Sequence, residues 1–363
     1  MEVRAKFGEV VPFVSLVIIE GCTIGLTIMA KTIITNGLSP VVFVVYTSAL
    51  VTIILLPYSF ISSCKNRIIK KLLTFIFLKL MLSLANELCR ITLTQNLTFM
   101  GLRYSSPILV CAMGHLIPAF NFLLSVVLRK TKFDWRSTSV QVKVIGTLIS
   151  IMGAILVEFF KGPLIRNSSD HQLQHSKQLF IYSTTSEHWV LGGILLAAAS
   201  LSVALWNTVQ MGAVQKYPEA MKVLSYYSLL GTIQCAIVSF MVERDPSAWK
   251  LQHNMEILVI VLTALFGGVI RSHVHMWCLH LKGPSYVPLF KPFGIAFAST
   301  FGVTFFANSL HYGSVIGAAI TGMGYYTVMW GKFRGDEENI KQGYETSDSS
   351  DKKVPLLQGE MEV

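Results

Sequence analysis

Charged side chains are scarce in this sequence. Asp, Glu, Lys and Arg make up 14% of its 363 residues, whereas they make up about a quarter of a typical soluble domain. Hydrophobic residues account for 52%, and the mean hydropathy is +0.56. Apolar runs recur along most of the chain, and about 20 such residues let a helix cross the ~30 Å hydrocarbon core of a bilayer. The shortage of charge therefore excludes an ordinary soluble domain and predicts an all-α, polytopic membrane protein.

Motifs of enzymes and metal sites are also missing from the sequence. It contains no P-loop, no His-Glu-x-x-His zinc motif and no Gly-x-Ser-x-Gly nucleophile motif. The six cysteines show no Cys-x-x-Cys pair, and His171, His175 and His188 have no cysteine or carboxylate at ligand spacing. We therefore expect no enzymatic activity, no metal and no cofactor. The net charge of +10 is assigned to loops facing anionic lipid, so no nucleic-acid partner is expected.

Ten transmembrane helices are predicted from the apolar runs. They lie near residues 11–33, 38–62, 79–100, 107–128, 140–160, 188–210, 221–242, 256–279, 284–306 and 311–331. Residues 1–10 precede the first span, and residues 161–187 form a polar loop between the fifth and the sixth. The polar tail, residues 332–363, has too little apolar surface to pack and is expected to be disordered.

Basic residues predict the orientation of these spans. They are more numerous on the side that holds both termini, for example between Lys65 and Lys71 and between Arg129 and Arg136, so both termini are predicted to be cytosolic. Lys31 is counted with the opposite side. Asn167 begins an Asn-Ser-Ser sequon in the long loop on that opposite side and is a candidate for glycosylation.

One apolar sequence occurs twice. "VIGTLISIMG" at residues 144–153 and "VIGAAITGMG" at residues 315–324 share the template VIG-x-x-I-x-x-MG, and they fall in the fifth and tenth predicted spans. A repeat of five spans places its second copy upside down in the membrane, as in many secondary transporters. Chance similarity, with the glycines serving only close helix packing, is the alternative.

Three longer stretches carry a family resemblance. "GLRYSSPILVCAMGHLIPAFNFLLSVVLRK", "WNTVQMGAVQKYPEAMKVLSYYSLLGTIQ" and "LKGPSYVPLFKPFGIAFAS" resemble plant members of the drug/metabolite transporter superfamily. The specific similarity is to the walls-are-thin-related, nodulin-like group, also called UMAMIT, whose members have two EamA-type halves.

The resemblance implies ten helices in two inverted five-helix EamA repeats, here residues 11–160 and 188–331. It implies movement of small organic solutes, most often amino acids, across the plasma membrane or the vacuolar membrane. Thr131 and Asn308 stand where the family usually has Glu, so the substrate and the coupling ion are not carried over. A membrane sensor that binds a small metabolite without moving it is the alternative function, and the oligomeric state is open.

Ionisable residues deep inside the spans are candidates for a binding site. Glu20, Glu87, Arg90 and Arg271 are costly in lipid and are expected to face a shared polar cavity. Glu87 and Arg90 are three residues apart on one helix face and can pair, either structurally or beside a solute, and Arg90 or Arg271 would meet a carboxylate. Glu20 is the candidate for proton coupling, because burial favours the protonated form of a carboxylic acid.

Prolines mark further candidates. His115, Pro118 and Asn121 share a face of the fourth span, while Pro288 and Pro292 flank Lys291 in the ninth. Helix interruptions in corresponding spans of two halves point to a transporter site, although prolines can also merely bend a membrane helix. On the sixth span, Trp206 and Gln210 offer stacking and an amide hydrogen bond, or else ordinary apolar packing.

Overall fold

The computed structural model describes residues 2–63, 92–128, 135, 137–159, 188–210, 220–251, 254–283, 286–305 and 312–351. Every regular element in these ranges is helical. In chain order the helices are α1 Glu2–Thr35, α2 Pro40–Ser63, α3 Thr94–Tyr104, α4 Pro107–Gly114, α5 Ile117–Val127, α6 Thr138–Phe159, α7 Trp189–Gln210, α8 Ala220–Val242, α9 Asn254–Leu262, α10 Arg271–Lys282, α11 Phe293–Phe305 and α12 Tyr312–Asp351. A π-helical segment, Thr263–Ile270, joins α9 to α10, and short 3-10 helices cover Pro246–Trp249 and Val287–Phe290.

Several of these helices have the length and composition of membrane spans. Within the described residues, the stretches long and apolar enough to cross a bilayer number six: Val10–Thr35, Pro40–Pro57, Pro107–Val127, Thr138–Phe159, Trp189–Thr208 and Asn254–Lys282. The helices α3, α8, α11 and α12 occupy the other four predicted spans, and residues 79–91 of the third span lie outside the described residues. The prediction of an all-helical, multi-pass membrane protein is therefore confirmed for the described part of the chain.

The last helix is longer than expected. Residues 332–363 were expected to be disordered, but α12 continues through the end of the predicted span as far as Asp351. A helix that is already nucleated extends at little free-energy cost, and the continuing sequence "GDEENIKQ" contains good helix formers. The shortage of apolar surface, on which the expectation rested, does not prevent a helix from extending into water.

A close approach between two helices joins the two copies of the repeated sequence. A Cβ atom added to Gly146 of α6 would lie 3.0 Å from the Gly324 carbonyl oxygen of α12, and one added to Gly324 would lie 2.8 Å from the Gly146 carbonyl oxygen. Gly153 and Gly317 have the same reciprocal relation, at 2.9 Å and 3.0 Å. Residue numbers rise along one helix as they fall along the other, so the two helices run antiparallel. The contact shows the close helix packing that the sequence offered as the alternative, and the origin of the two copies as an inverted repeat stays a prediction.

Other helix pairs follow the same two-fold pattern. The helices α2 and α8 are antiparallel, since Thr52 and Thr232 share a 2.9 Å hydroxyl hydrogen bond while Ser239 donates to the Val41 carbonyl oxygen at 3.3 Å. The helix α1 packs against α11 and the π-helical segment, and α7 packs correspondingly against α5 and α3. The contacts that α1 makes with the second half thus correspond to those that α7 makes with the first.

A buried lysine fastens the end of α1 to the end of α3. Lys31 is 2% exposed, and its ammonium group donates to the carbonyl oxygens of Leu102 and Arg103, each at 2.7 Å. The last carbonyls of a helix have no partner within the helix, and a cation there also interacts favourably with the helix dipole. Lys31, which was counted with the loops on the basis of charge, is instead part of the packed interior.

Because the α6–α12 contact has no room for a side chain, we expect Gly153→Ala to destabilise the protein. Its Cβ atom would lie 2.5 Å from the Thr321 nitrogen, and overpacking of this kind costs about 2 kcal/mol. Gly25→Ala is the matched control, since the nearest atom to its added Cβ is Phe301 Cε2 at 4.0 Å. Thermal unfolding of the purified protein in detergent measures both, and equal midpoints would contradict the predicted contact.

For Lys31, we expect replacement by methionine to leave the two carbonyl oxygens of α3 without a donor. The loss is roughly 2–3 kcal/mol, because a buried acceptor without its charged donor pays its desolvation penalty. Lys31→Arg keeps donors at this end of α1 and should unfold closer to the wild type. Lys282→Met, at an exposed position at the end of α10, controls for the loss of a positive charge. A Lys31→Met variant as stable as Lys282→Met would rule out the fastening role.

Candidate functional site

A cavity of about 360 Å³ lies between helices of the two halves of the chain. Its walls come from α1, α2, α3 and α4 of the first half and from the π-helical segment, Arg271 and Lys291 of the second. The charged residues lining it are Glu20, Arg271 and Lys291, and His115 lies among them. Because hydrocarbon solvates charge poorly, a cavity that collects charged groups at membrane depth indicates a place where polar solutes or water are held.

An ion pair crosses one end of this cavity. Lys291 Nζ lies 3.5 Å from Glu20 Oε1, and the Glu20 side chain is 9% exposed while that of Lys291 is 37% exposed. A Cβ atom at Gly294 would lie 3.3 Å from the same Glu20 oxygen, so glycine there allows the start of α11 to approach the carboxylate. The pair joins the first helix of one half to an interrupted helix of the other.

Two interrupted helices meet beside the ion pair. The helix α4 ends at Gly114 and α5 begins at Ile117, with Pro118 as its second residue, so His115 lies in the break. In the second half the 3-10 turn at residues 287–290 precedes α11, and Lys291 lies between them. His115 Nε2 is 3.3 Å from the Lys291 carbonyl oxygen, which puts one break directly against the other.

Neighbouring side chains satisfy the backbone groups that the second break exposes. Pro288 and Pro292 lack the N–H that would continue a helix. The Tyr325 hydroxyl donates to the Pro288 carbonyl oxygen at 2.8 Å, and the Tyr326 hydroxyl donates to that of Leu289 at 2.9 Å. The Tyr325 ring also packs edge-on against His115, with ring centroids 5.2 Å apart. Such substitution for lost helical hydrogen bonds is what allows irregular backbone at membrane depth.

The π-helical segment presents Arg271 to the cavity. Its wider turns differ from those of an α-helix, and π-helical turns occur frequently at functional sites. Gly268 lets this segment approach α2, because a Cβ atom there would collide with Val51. Arg271 follows directly and lines the cavity, and no carboxylate among the described residues contacts its guanidinium group.

The amino-acid sequence can be compared with the sequences of known proteins. Residues 12–159 match the EamA-like transporter family. A WAT1-related protein of Arabidopsis thaliana is 49% identical over 369 residues, which covers 98% of each chain. A second from the same plant is 47% identical and covers 97% of this chain and 96% of its own, and a third is 35% identical and covers 96% of each. The chain belongs to the WAT1-related family.

Membership of the WAT1-related family confirms the resemblance read from the sequence. The chain is thus a multi-pass membrane protein of a transporter family, built from helices in its described part. Thr131 and Asn308 lie outside the described residues. These are the two positions at which the resemblance implies Glu.

Of the residues that the sequence singled out, four come together at the cavity: Glu20, His115, Arg271 and Lys291. Asn121 and Trp206 do not line it, since α5 leaves the cavity after Ile117 and no side chain in the described part of α7 contributes to its walls. Gln210 lies in α7, but its side chain is outside the described part of the structure. Glu87, Arg90 and Asn167 also lie outside it.

Sequence reasoning missed a set of threonines in the cavity wall. Thr23, Thr27, Thr47 and Thr98 line it, and each donates its hydroxyl hydrogen to the carbonyl oxygen four residues earlier, at 2.7–2.9 Å. The hydroxyl oxygens therefore offer hydrogen-bond acceptors to the cavity. A signal was present on α1, because Glu20, Thr23 and Thr27 are spaced along one helix face.

For the ion pair, we expect Glu20→Gln and Lys291→Met to be energetically coupled. Each variant alone leaves its partner uncompensated, whereas the double variant removes both charges, so the cycle should show a coupling of about 1 kcal/mol. Thermal or denaturant unfolding of the four proteins in detergent measures the coupling. Combining Glu20→Gln with Lys282→Met gives the control cycle, in which effects should add. Strict additivity for Glu20 and Lys291 would show that the pair contributes no interaction.

Proposed function

We propose that this protein moves small amino acids across a membrane by alternating access through the cavity between two inverted five-helix repeats. The observation that carries the proposal is the meeting of two interrupted helices, one from each half, beside a cavity that holds Arg271 and the Glu20–Lys291 pair. Secondary transporters with inverted repeats hold their solutes at such breaks.

The chemistry of the cavity favours a solute that carries both charges. The planar guanidinium of Arg271 matches a carboxylate in a two-point hydrogen bond. An ammonium group has donors and no acceptor, so it is served by the Glu20 carboxylate and by the threonine oxygens, whose own hydrogens are already donated. A volume of about 360 Å³ lies at the small end of the range for ligand pockets, which suits a solute of amino-acid size.

The helix pairing supports a rocking motion of the two halves. The α6–α12 contact is glycine-lined and reciprocal, so it can hold the halves together at a fixed backbone separation while the rest moves. The breaks at His115 and Lys291 lack continuous helical hydrogen bonding and can absorb the changes in backbone angle. We assign proton coupling to Glu20, an acidic residue that lines the cavity and pairs with Lys291.

Counterflow in proteoliposomes tests the transport proposal. Vesicles preloaded with an unlabelled amino acid should take up the labelled one, and Arg271→Gln should reduce the rate roughly 10- to 100-fold, since hydrogen bonds to a charged group contribute about 1.5–3 kcal/mol. Arg271→Lys, which keeps the charge and loses the fork, should be intermediate. His273→Gln, on the same helix but facing outward, is the matched control and should transport normally.

Two results would contradict the proposal. Binding of a labelled amino acid without exchange would indicate a sensor instead of a transporter. Equal rates for Arg271→Gln and His273→Gln would remove Arg271 from the solute site. Adding a protonophore to cells that accumulate or export the solute tests the proton coupling that we assign to Glu20. Proton-coupled transport stops when the proton gradient is removed, whereas facilitated equilibration continues.

A further inference from the structure

Three glycines line the cavity: Gly267 and Gly268 in the π-helical segment, and Gly114 at the end of α4. Gly268 packs against Val51, so the two that leave the wall open are Gly267 and Gly114. They come from different halves of the chain, and Gly267 lies one turn before Arg271 on the same helix. At Gly267 the wall therefore lacks a side chain one turn away from the guanidinium that we assign to the solute carboxylate.

Both glycines have free space where a side chain would begin. A Cβ atom at Gly114 would meet no atom of the described residues within 4 Å, and one at Gly267 would lie 3.7 Å from Thr263 Cγ2 and 3.9 Å from Leu26 Cδ1, which are ordinary contacts. Thr263 and Leu26 themselves line the cavity, so this space belongs to the cavity and not to a packed interface. Neither glycine has the positive φ that would require glycine for backbone reasons, which within the described residues is found at Gly37 and Gly283.

Two neighbouring glycines, Gly268 and Gly294, have a role in packing that Gly267 and Gly114 do not share. At Gly268 a Cβ atom would collide with Val51, and at Gly294 it would press on Glu20, so those glycines permit close approach of helices and of the ion pair. Helix packing explains Gly268 and Gly294 but leaves Gly267 and Gly114 unexplained. What these two glycines preserve is open volume.

We propose that Gly267, together with Gly114, sets the upper size limit for the solute, by leaving room for the solute's own side chain beside Arg271. This rests on the proposed function in taking the cavity as the solute site. A methyl group at residue 267 narrows the cavity without disturbing the fold, and larger side chains there extend into the volume that bulky solutes need.

The first experiment measures selectivity in proteoliposomes with radiolabelled glycine, valine and phenylalanine. Gly267→Val should lower the ratio of phenylalanine to glycine transport about tenfold, because one or two extra methyl groups in a pocket discriminate by that factor or more. Gly267→Ala should lower the ratio less. The matched control is Gly25→Ala, which adds a methyl group 4.0 Å from Phe301, at a residue outside the cavity wall, and should leave the ratio unchanged.

A second experiment needs no knowledge of the solute. Cys111 lines the same cavity and is half-buried, so its thiol reports on the space there. The ratio of its labelling by benzyl methanethiosulfonate to that by the smaller methyl methanethiosulfonate should fall in Gly267→Val and in Gly114→Val, and stay constant in Gly25→Ala. A ratio cancels differences in thiol reactivity, and labelling of Cys111→Ser gives the background from the other cysteines.

The two experiments separate this inference from the proposed function. If no amino acid is transported but the labelling ratio falls, the proposed solute is wrong and the size limit stands. If the labelling ratio is unchanged in Gly267→Val and Gly114→Val, the size limit is wrong whatever is transported. Equal loss of glycine and phenylalanine transport in Gly267→Ala would likewise overturn the size limit. If Gly267→Val fails to reach the membrane, Gly267→Ala and Gly114→Val test the size limit in its place.

Discussion

The backbone contact between α6 and α12 is the constraint on which the rest of the architecture depends. Two membrane helices gain nothing from hydrophobic exclusion, because lipid is as apolar as leucine, so their association relies on packing and on close backbone approach. Glycines at residues 146, 153, 317 and 324 provide that approach at both ends of the repeated sequence. Because α6 and α12 hold the two halves of the chain side by side, the cavity lies between other helices of the two halves.

The cavity combines polar groups that neither half could keep in hydrocarbon alone. Glu20 comes from the first half and Lys291 from the second, and each compensates the other's charge. The Tyr325 and Tyr326 hydroxyls donate to the freed carbonyl oxygens of Pro288 and Leu289. His115 of the first half contacts the Lys291 carbonyl oxygen through its Nε2 atom. The charges of Glu20 and Lys291 are therefore compensated between the two halves, whereas the freed carbonyl oxygens of Pro288 and Leu289 are satisfied within the second half.

Much of this arrangement could be read from residue types and spacing. Ionisable residues are so costly in lipid that Glu20 and Arg271 were expected to face a shared interior, and the prolines around Lys291 and at residue 118 pointed either to interrupted helices or to bent ones. Lys31 and the threonines were not predictable in the same way, because their roles depend on which helix lies opposite. Lys31 binds carbonyls of residues 71 and 72 positions away, and a threonine that lines a cavity has the same local sequence as one that faces lipid. The helical extension of α12 was not predicted, because a shortage of apolar surface was taken to prevent ordered structure. A helix that already exists can extend without burying apolar surface.

The reciprocal form of the α6–α12 contact has a consequence for how the two helices associate. The third position of each copy of the template meets the tenth position of the other, and Ser150 and Thr321 occupy the same seventh position. This is the rule of an isologous interface, in which one surface is complementary to its own duplicate. A helix carrying one copy of this template thus already possesses a surface that is complementary to a second, antiparallel copy. Because both copies lie in one polypeptide, they meet without depending on the concentration of a partner.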